Sequence, residues 1–303
     1  MKRYFNIVLL TAVVTGLTSC LKDNSVNLDT SNTPAVVEWS TSSGDTPAGT
    51  NSSGFTRYTR SYDAGPNAQA TFTVNYAGAD AAPSDITVNL GVDESAVTKF
   101  NNATTPVGTY TVLPSSLYTI PASVVIPQGQ RKATVTVSLK TNQFDFTKSY
   151  ILPIAIKSTT AGAVSGNYGT ILVSVSAKNA YDGLYDAKGF VLRNSAAGPD
   201  LSLGGFFKGQ TYTLSTLGLT QNAFTPLWAS GGSIGGIDGI NLVVNPTTNK
   251  VTVTATGNAT LRNITGYDSR YEPSTKTFYL SYTWGAAPNN RAITDTLTYK
   301  GPR

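Results

Sequence analysis

Apolar and polar residues alternate with a period of two along most of the chain from about Ala35 onward. Ala70, Phe72, Val74 and Tyr76 fall on one face of such a run, with Thr71, Thr73 and Asn75 on the other. Ile86, Val88, Leu90 and Val92 repeat the scheme, as do Ala133, Val135, Val137 and Leu139. Tyr150, Leu152, Ile154 and Ile156 follow, then Ile171, Val173 and Val175. Successive side chains of a strand point to opposite faces, so each run predicts a strand with one buried face. Turns rich in Gly, Pro and Asn separate the runs, the layout of an antiparallel sandwich. Pro153 interrupts one run, and because proline offers no N–H to a ladder it predicts an edge position there. A short helix is expected at Glu94–Asn101, with Asp93 as its N-cap.

A polar segment at Lys178–Gly183 marks the expected domain boundary. Beyond it the same texture returns in QTYTLS, INLVVN, KVTVTAT, TKTFYLSYTW and AITDTLTY. The Gly-rich stretch SGGSIGGIDG (230–239) is a loop signal that lacks the GxGxxG spacing and any P-loop lysine. The fold class is therefore all-β, with a sandwich over residues 35–177. A second antiparallel β-sandwich or barrel-like domain is expected over residues 181–303.

The first 34 residues differ in kind. Lys2 and Arg3 precede an apolar run from Phe5 to Leu17, too short for a comfortable membrane span and suited to a signal peptide over residues 1–19. The run ends in Leu17-Thr18-Ser19-Cys20, which resembles a bacterial lipobox. That resemblance implies acylation of the Cys20 thiol, cleavage just before it, and attachment to a membrane through acyl chains. Lys22-Asp23 resembles the short charged signals that send Bacteroidetes lipoproteins to the cell surface. Residues 20–34 are polar without periodicity after the cysteine and predict a flexible tether with a reach of roughly 20 Å.

Composition removes several classes of chemistry. The chain has no His, which excludes Ser-His-Asp and Cys-His catalysis and every His-ligated metal site. Cys20 is the only cysteine, so no disulfide, iron–sulfur cluster or Cys-rich zinc site forms within one chain. The formal net charge of +5 is a small excess among few charges, and no basic cluster predicts a nucleic-acid partner. No cofactor motif is present.

VNLGVDESAVTKFN (88–101), YTVLPSSLYTIP (110–121) and YILPIAI (150–156) resemble the N-terminal domain common in Bacteroidetes lipoproteins of polysaccharide-utilisation loci. YEPSTKTFYLSYTW (271–284) and RAITDTLTYKGPR (291–303) resemble the endings of the non-catalytic members. The resemblance implies an immunoglobulin-like N-terminal β-sandwich and a non-catalytic C-terminal β domain. It also implies an outer-membrane, cell-surface glycan-binding role beside a SusC/SusD-like importer.

Sugar binding needs exposed aromatic faces flanked by groups that hydrogen-bond hydroxyls. On strand 276–284, Phe278, Leu280, Tyr282 and Trp284 share a face expected in the core, whereas Tyr279 points the other way and is expected to be exposed. Trp228 lies in TPLWASGGSIGG, where a Gly-rich loop is expected to present it. Tyr267, Asp268, Arg270 and Tyr271 in GYDSRY combine two rings with two charged groups outside an obvious strand. These six residues form the expected ligand site. The acidic residues are scattered singly apart from Asp93-Glu94, and Asp238 lacks the companion carboxylates a glycosidase requires, so catalysis is not expected. The competing expectation is a structural or adhesive surface protein that binds another protein.

Overall fold

The computed structural model describes residues 34–40, 47–105 and 108–303, and the leader, Cys20 and all of the tether but its last residue lie outside them. Strands β1 (Val36–Ser40), β2 (Pro47–Thr50), β3 (Thr56–Asp63), β4 (Ala68–Ala77) and β5 (Ile86–Val92) lead to helix α1 (Glu94–Asn101). Strands β6 (Thr111–Val112), β7 (Tyr118–Thr119), β8 (Ser123–Ile126), β9 (Lys132–Leu139), β10 (Tyr150–Thr159), β11 (Ala163–Val164) and β12 (Thr170–Lys178) complete the first half. One sheet has the order β11-β1-β4-β9-β7 and the other β2-β3-β12-β10-β5-β8, with β6 alongside β10.

The alternating rows meet between these two sheets. Phe72, Val74, Val135 and Val137 from one sheet and Ile86, Val88, Leu152, Ile154 and Val173 from the other form one buried cluster. Trp39 joins it edge-on to Phe72, with ring centroids 6.2 Å apart. Each large aliphatic side chain buried in this way contributes about 1.5–3 kcal/mol.

β10 is buried on both faces because α1 covers the outer one. Ala96, Val97 and Phe100 pack on Ile151 and Leu172. The helix begins where expected: Asp93 accepts a hydrogen bond from the Ser95 N–H at 3.1 Å. The Ser95 hydroxyl bond to the same carboxylate is the main reason Asp93 stays below the usual carboxylate range.

Pro153 is not at an edge. It lies inside β10, paired with β12 on one side and with β5 and β6 on the other. Its carbonyl accepts from the Asp93 N–H at 3.0 Å. The missing N–H falls at the gap where β6, paired at Tyr150 and Ile151, gives way to β5, which begins at Ile154. The ladder is interrupted there in any case, so proline costs no additional bond.

The second half contains β13 (Gly183–Ser195), β14 (Gly198–Pro199), β15 (Gly205–Gly218), β16 (Gln221–Ala223) and β17 (Ile240–Val244). It continues with β18 (Val251–Ala255), β19 (Arg262–Asn263), β20 (Arg270–Glu272), β21 (Thr277–Trp284) and β22 (Arg291–Gly301). They form one sheet, β18-β17-β16-β15-β13-β22-β21-β19, with β14 on β13 and β20 on β21. This sheet curls into a nearly closed barrel whose interior is aromatic: Tyr185, Phe207, Tyr212, Phe224, Phe278, Tyr282 and Trp284 are all buried. The protein is thus all-β in two parts.

Only residues 179–182 join β12 to β13, and they are tied down. The Asn179 amide donates to the carbonyls of Gly218 at 2.7 Å and Gln221 at 3.1 Å, and to Asn222 Oδ1 at 2.8 Å. One oxygen of Asp182 accepts from the N–H and hydroxyl of Thr216, and the other accepts from Arg303 Nε at 2.8 Å.

Candidate functional site

Four of the six expected ligand residues come together on the outside of the barrel. Residues 264–269 bridge the gap that β19 and β20 leave along the edge of β21. Ser269 fixes this loop by accepting from the Ser281 N–H at 3.1 Å through its hydroxyl, and from the Val251 N–H at 2.9 Å through its carbonyl. Gly266, Tyr267, Asp268 and Ser269 then line an open cleft of about 440 Å³ with Lys250, Val251 and Asn263. Tyr267 is 39% exposed and offers a free ring at its mouth. Partial burial, followed by the Asp295 charge, pushes its hydroxyl above the usual tyrosine range.

Strand alternation places the neighbouring groups. Arg270 and Glu272 leave the outer face of β20, and Arg270 is directly opposite Tyr279 on β21. Its guanidinium carbon stands 4.3 Å from the centroid of the Tyr279 ring. Asp268 pairs with Lys250 and, at 3.6 Å, with Arg270. The hydrogen bond from Lys250 is the leading cause of its lowered carboxyl pKa. Tyr279 is therefore half-buried beneath its own arginine, where an exposed ring was expected. The site offers one open aromatic ring, a guanidinium held over a second ring, a carboxylate and an ammonium, which together can stack on and hydrogen-bond a polyhydroxylated ring.

Tyr271 and Trp228 do not belong to that cluster. Tyr271 lies in a strand, where the sequence suggested none, and alternation turns it inward. It packs edge-on to Tyr181 at 4.9 Å and against Phe278 at 4.7 Å. Its rim borders a second cleft of about 550 Å³ between the two halves, lined also by Asp63, Lys178, Asn179, Asn249, Lys276 and Tyr299.

Trp228 is only 8% exposed. The Gly-rich loop folds back on itself through Trp228 N–H to Gly232 O and Gly231 N–H to Trp228 O, both at 2.8 Å. Gly231 makes the turn possible at φ 89°, a conformation other residues seldom adopt. The loop thereby plugs the barrel, burying Ile234 and Ile237 along with Trp228. The indole lies 6.3 Å from Trp284 and 5.4 Å from the Arg193 guanidinium carbon. Glycine here serves a tight inward turn, which is why the expectation of a presented tryptophan fails.

A facing pair of exposed rings escaped the sequence reading. Phe190 and Phe206 are directly opposite on β13 and β15, in T-shaped contact at 4.8 Å, and Phe206 is 88% exposed. The signal was the Phe206-Phe207 doublet: neighbouring residues of a strand face opposite ways, so only one ring can enter the core. Asp295 is a third surprise. It is buried in the barrel, and burial pushes its carboxyl up to about 8 although the Tyr282 hydroxyl works to lower it. Among the described residues no group of three or more acidic, cysteine or histidine side chains stands together to hold a metal ion, and no helix is long and apolar enough to cross a membrane.

Comparison with known proteins covers both halves. A family model described as "-like, N-terminal domain" matches residues 45–163. No curated protein matches the chain. A protein of unknown function from Bacteroides ovatus, 17% identical, aligns over 88% of this chain and 95% of its own with a TM-score of 0.60. Another of unknown function from the same organism, 15% identical, aligns over 87% and 94% with a TM-score of 0.52. A multidomain protein including DUF1735, also from Bacteroides ovatus and 15% identical, aligns over 86% and 93% with a TM-score of 0.50. These likenesses concern the fold: the same two all-β parts in Bacteroides proteins.

Proposed function

We propose that the protein captures polysaccharide at the cell surface without cleaving it. In this reading acyl chains on Cys20 hold it to the outer membrane, and the outer face of the C-terminal barrel presents the glycan to a SusC/SusD-like importer. The observation that carries the proposal is the cluster of Tyr267, Asp268, Arg270 and Tyr279, in which a free ring stands beside a flat guanidinium and two further charged groups at an open cleft. The likeness to Bacteroides folds and the Leu17-Thr18-Ser19-Cys20 sequence support it. The adhesive alternative has less behind it. Among the described residues Leu201 and Phe206 are the most exposed large apolar side chains, and two of this size fall well short of the ~800 Å² a partner buries in a standard protein interface.

A glycan array probed with the chain from residue 21 onward, followed by calorimetry on the best ligand, tests the proposal. Saturable binding without release of reducing sugar is the expected result. Binding to no glycan, together with capture of a defined outer-membrane protein, would replace it with the adhesive reading.

A further inference from the structure

A row of side chains crosses five strands in register on the outer face of the barrel. Lys208 on β15 is opposite Lys188 on β13, and Lys188 is opposite Thr296 on β22. Thr296 is opposite Tyr279 on β21, and Tyr279 opposite Arg270 on β20. In the adjacent row Phe206 is opposite Phe190, and Phe190 opposite Thr294. With strands about 4.8 Å apart, the row from Lys208 to Arg270 extends roughly 19 Å, enough for several linked sugar rings.

Two features of this face work against stability. Like charges directly opposite on neighbouring strands are destabilising, yet Lys188 and Lys208 are both exposed and neither forms an ion pair among the described residues. Phe206 leaves nearly its whole ring in water beside them. Edge protection accounts for Lys208, because among the described residues no strand pairs with this end of β15 on that side. It does not account for Lys188, which lies in a strand paired on both sides. The carboxylates of the face are already engaged: Asp186 by Lys300 at 3.0 Å and Asp268 by Lys250 and Arg270. Glu272, at the far edge, accepts from the Ser274 hydroxyl at 2.9 Å. The lysine pair is thus unneutralised positive charge next to two rings. A neutral glycan would use the rings and leave that charge idle.

We infer that the face binds an anionic polysaccharide, with Phe190 and Phe206 packing on sugar rings while Lys188 and Lys208 meet carboxylates or sulfates along the chain. The inference rests on the glycan-binding reading above and names the class of glycan.

Calorimetry on the purified full chain in detergent tests it, using a uronate polymer, a sulfated galactan, a neutral galactan and polyglutamate as probes. The expected result is saturable binding to the uronate or the sulfated polymer, weakening as NaCl rises from about 0.05 to about 0.5 M. Which of the two binds identifies the anionic group. Lys188→Glu with Lys208→Glu is expected to lower that affinity about tenfold or more, and Phe206→Ala to lower it severalfold. If the charge reversal fails to fold, alanine at both lysines reads out the same contact with a smaller loss. Neutral galactan bound as tightly, with no effect of the lysine substitutions, would overturn the anionic class and leave glycan binding intact. Polyglutamate bound as tightly, or Phe206→Ala without effect, would reduce the face to unspecific charge attraction and overturn the inference. Saturable binding to none of the sugars would overturn the inference, and the glycan array above then decides separately whether the capture reading stands.

Discussion

Arg270 lies over the ring of Tyr279, its register partner on the neighbouring strand, with the guanidinium carbon 4.3 Å from the ring centroid. An arginine held in this way spends part of its side-chain freedom before any ligand arrives. Arg270→Ala is expected to cost about 0.5–1 kcal/mol of stability at this half-exposed site, read from denaturant midpoints. Arg270→Lys keeps the charge but loses the planar fork, so calorimetry should show weakened glycan binding for both variants.

Trp228 and Tyr267 should respond in opposite ways. Trp228→Ala removes a ring from the barrel core and is expected to destabilise by about 3–5 kcal/mol, with little change in glycan affinity for the molecules that remain folded. Tyr267→Ala removes an exposed ring and is expected to stay within about 0.5 kcal/mol of the parent in stability while glycan affinity falls. Unfolding curves and titrations on the same two variants separate the roles, and a swap of the two patterns would refute the placement of the site.

Asp295 predicts the sign of a pH effect. Its folded carboxyl is pushed up to about 8 by burial, against an ordinary value of 3.8 in the unfolded chain. The folded state therefore binds the proton more tightly, and the stability this confers is complete below about pH 4 and lost as pH rises through about 8. Asp295→Asn should remove that dependence. The difference in unfolding midpoint between parent and variant is expected to grow in favour of the variant from about pH 5 to about pH 9.

Asp182 predicts the reverse. Burial alone would raise its carboxyl, but the hydrogen bonds from Arg303 and Thr216 outweigh it and hold the group below its ordinary value. Its contribution is present above about pH 4 and lost as pH falls further. Asp182→Asn should destabilise at neutral pH and cost progressively less in acid, measured by thermal unfolding across that range.

The two-residue period carried most of the fold. The rows at Phe72, Val88, Val137 and Val173 are buried as their alternation requires, and so is the Phe278-Leu280-Tyr282-Trp284 face. Pro153 misled because periodicity reports which face a residue occupies and is silent on whether a neighbouring strand ends beside it. At the site, alternation around Tyr279 correctly gave the face but could not show that Arg270 would cover it. Tyr271 and Trp228 failed for one reason: short strands and Gly-rich loops carry too few residues for a period to show, and their direction is set by the barrel they close. Asp295 was legible, since the spacing Ile293, Asp295, Leu297 places a carboxylate on an apolar face.

The joint at residues 179–182 has a mechanical consequence. With Asn179 bonded into the second half and Asp182 clamped between Thr216 and Arg303, the link has little slack. A tug on a long polymer held at the outer face would travel through the joint into the first sandwich as through a stiff lever. Load would then be shared by both halves, so that catching a polymer and bearing its pull are performed by different stretches of the same chain.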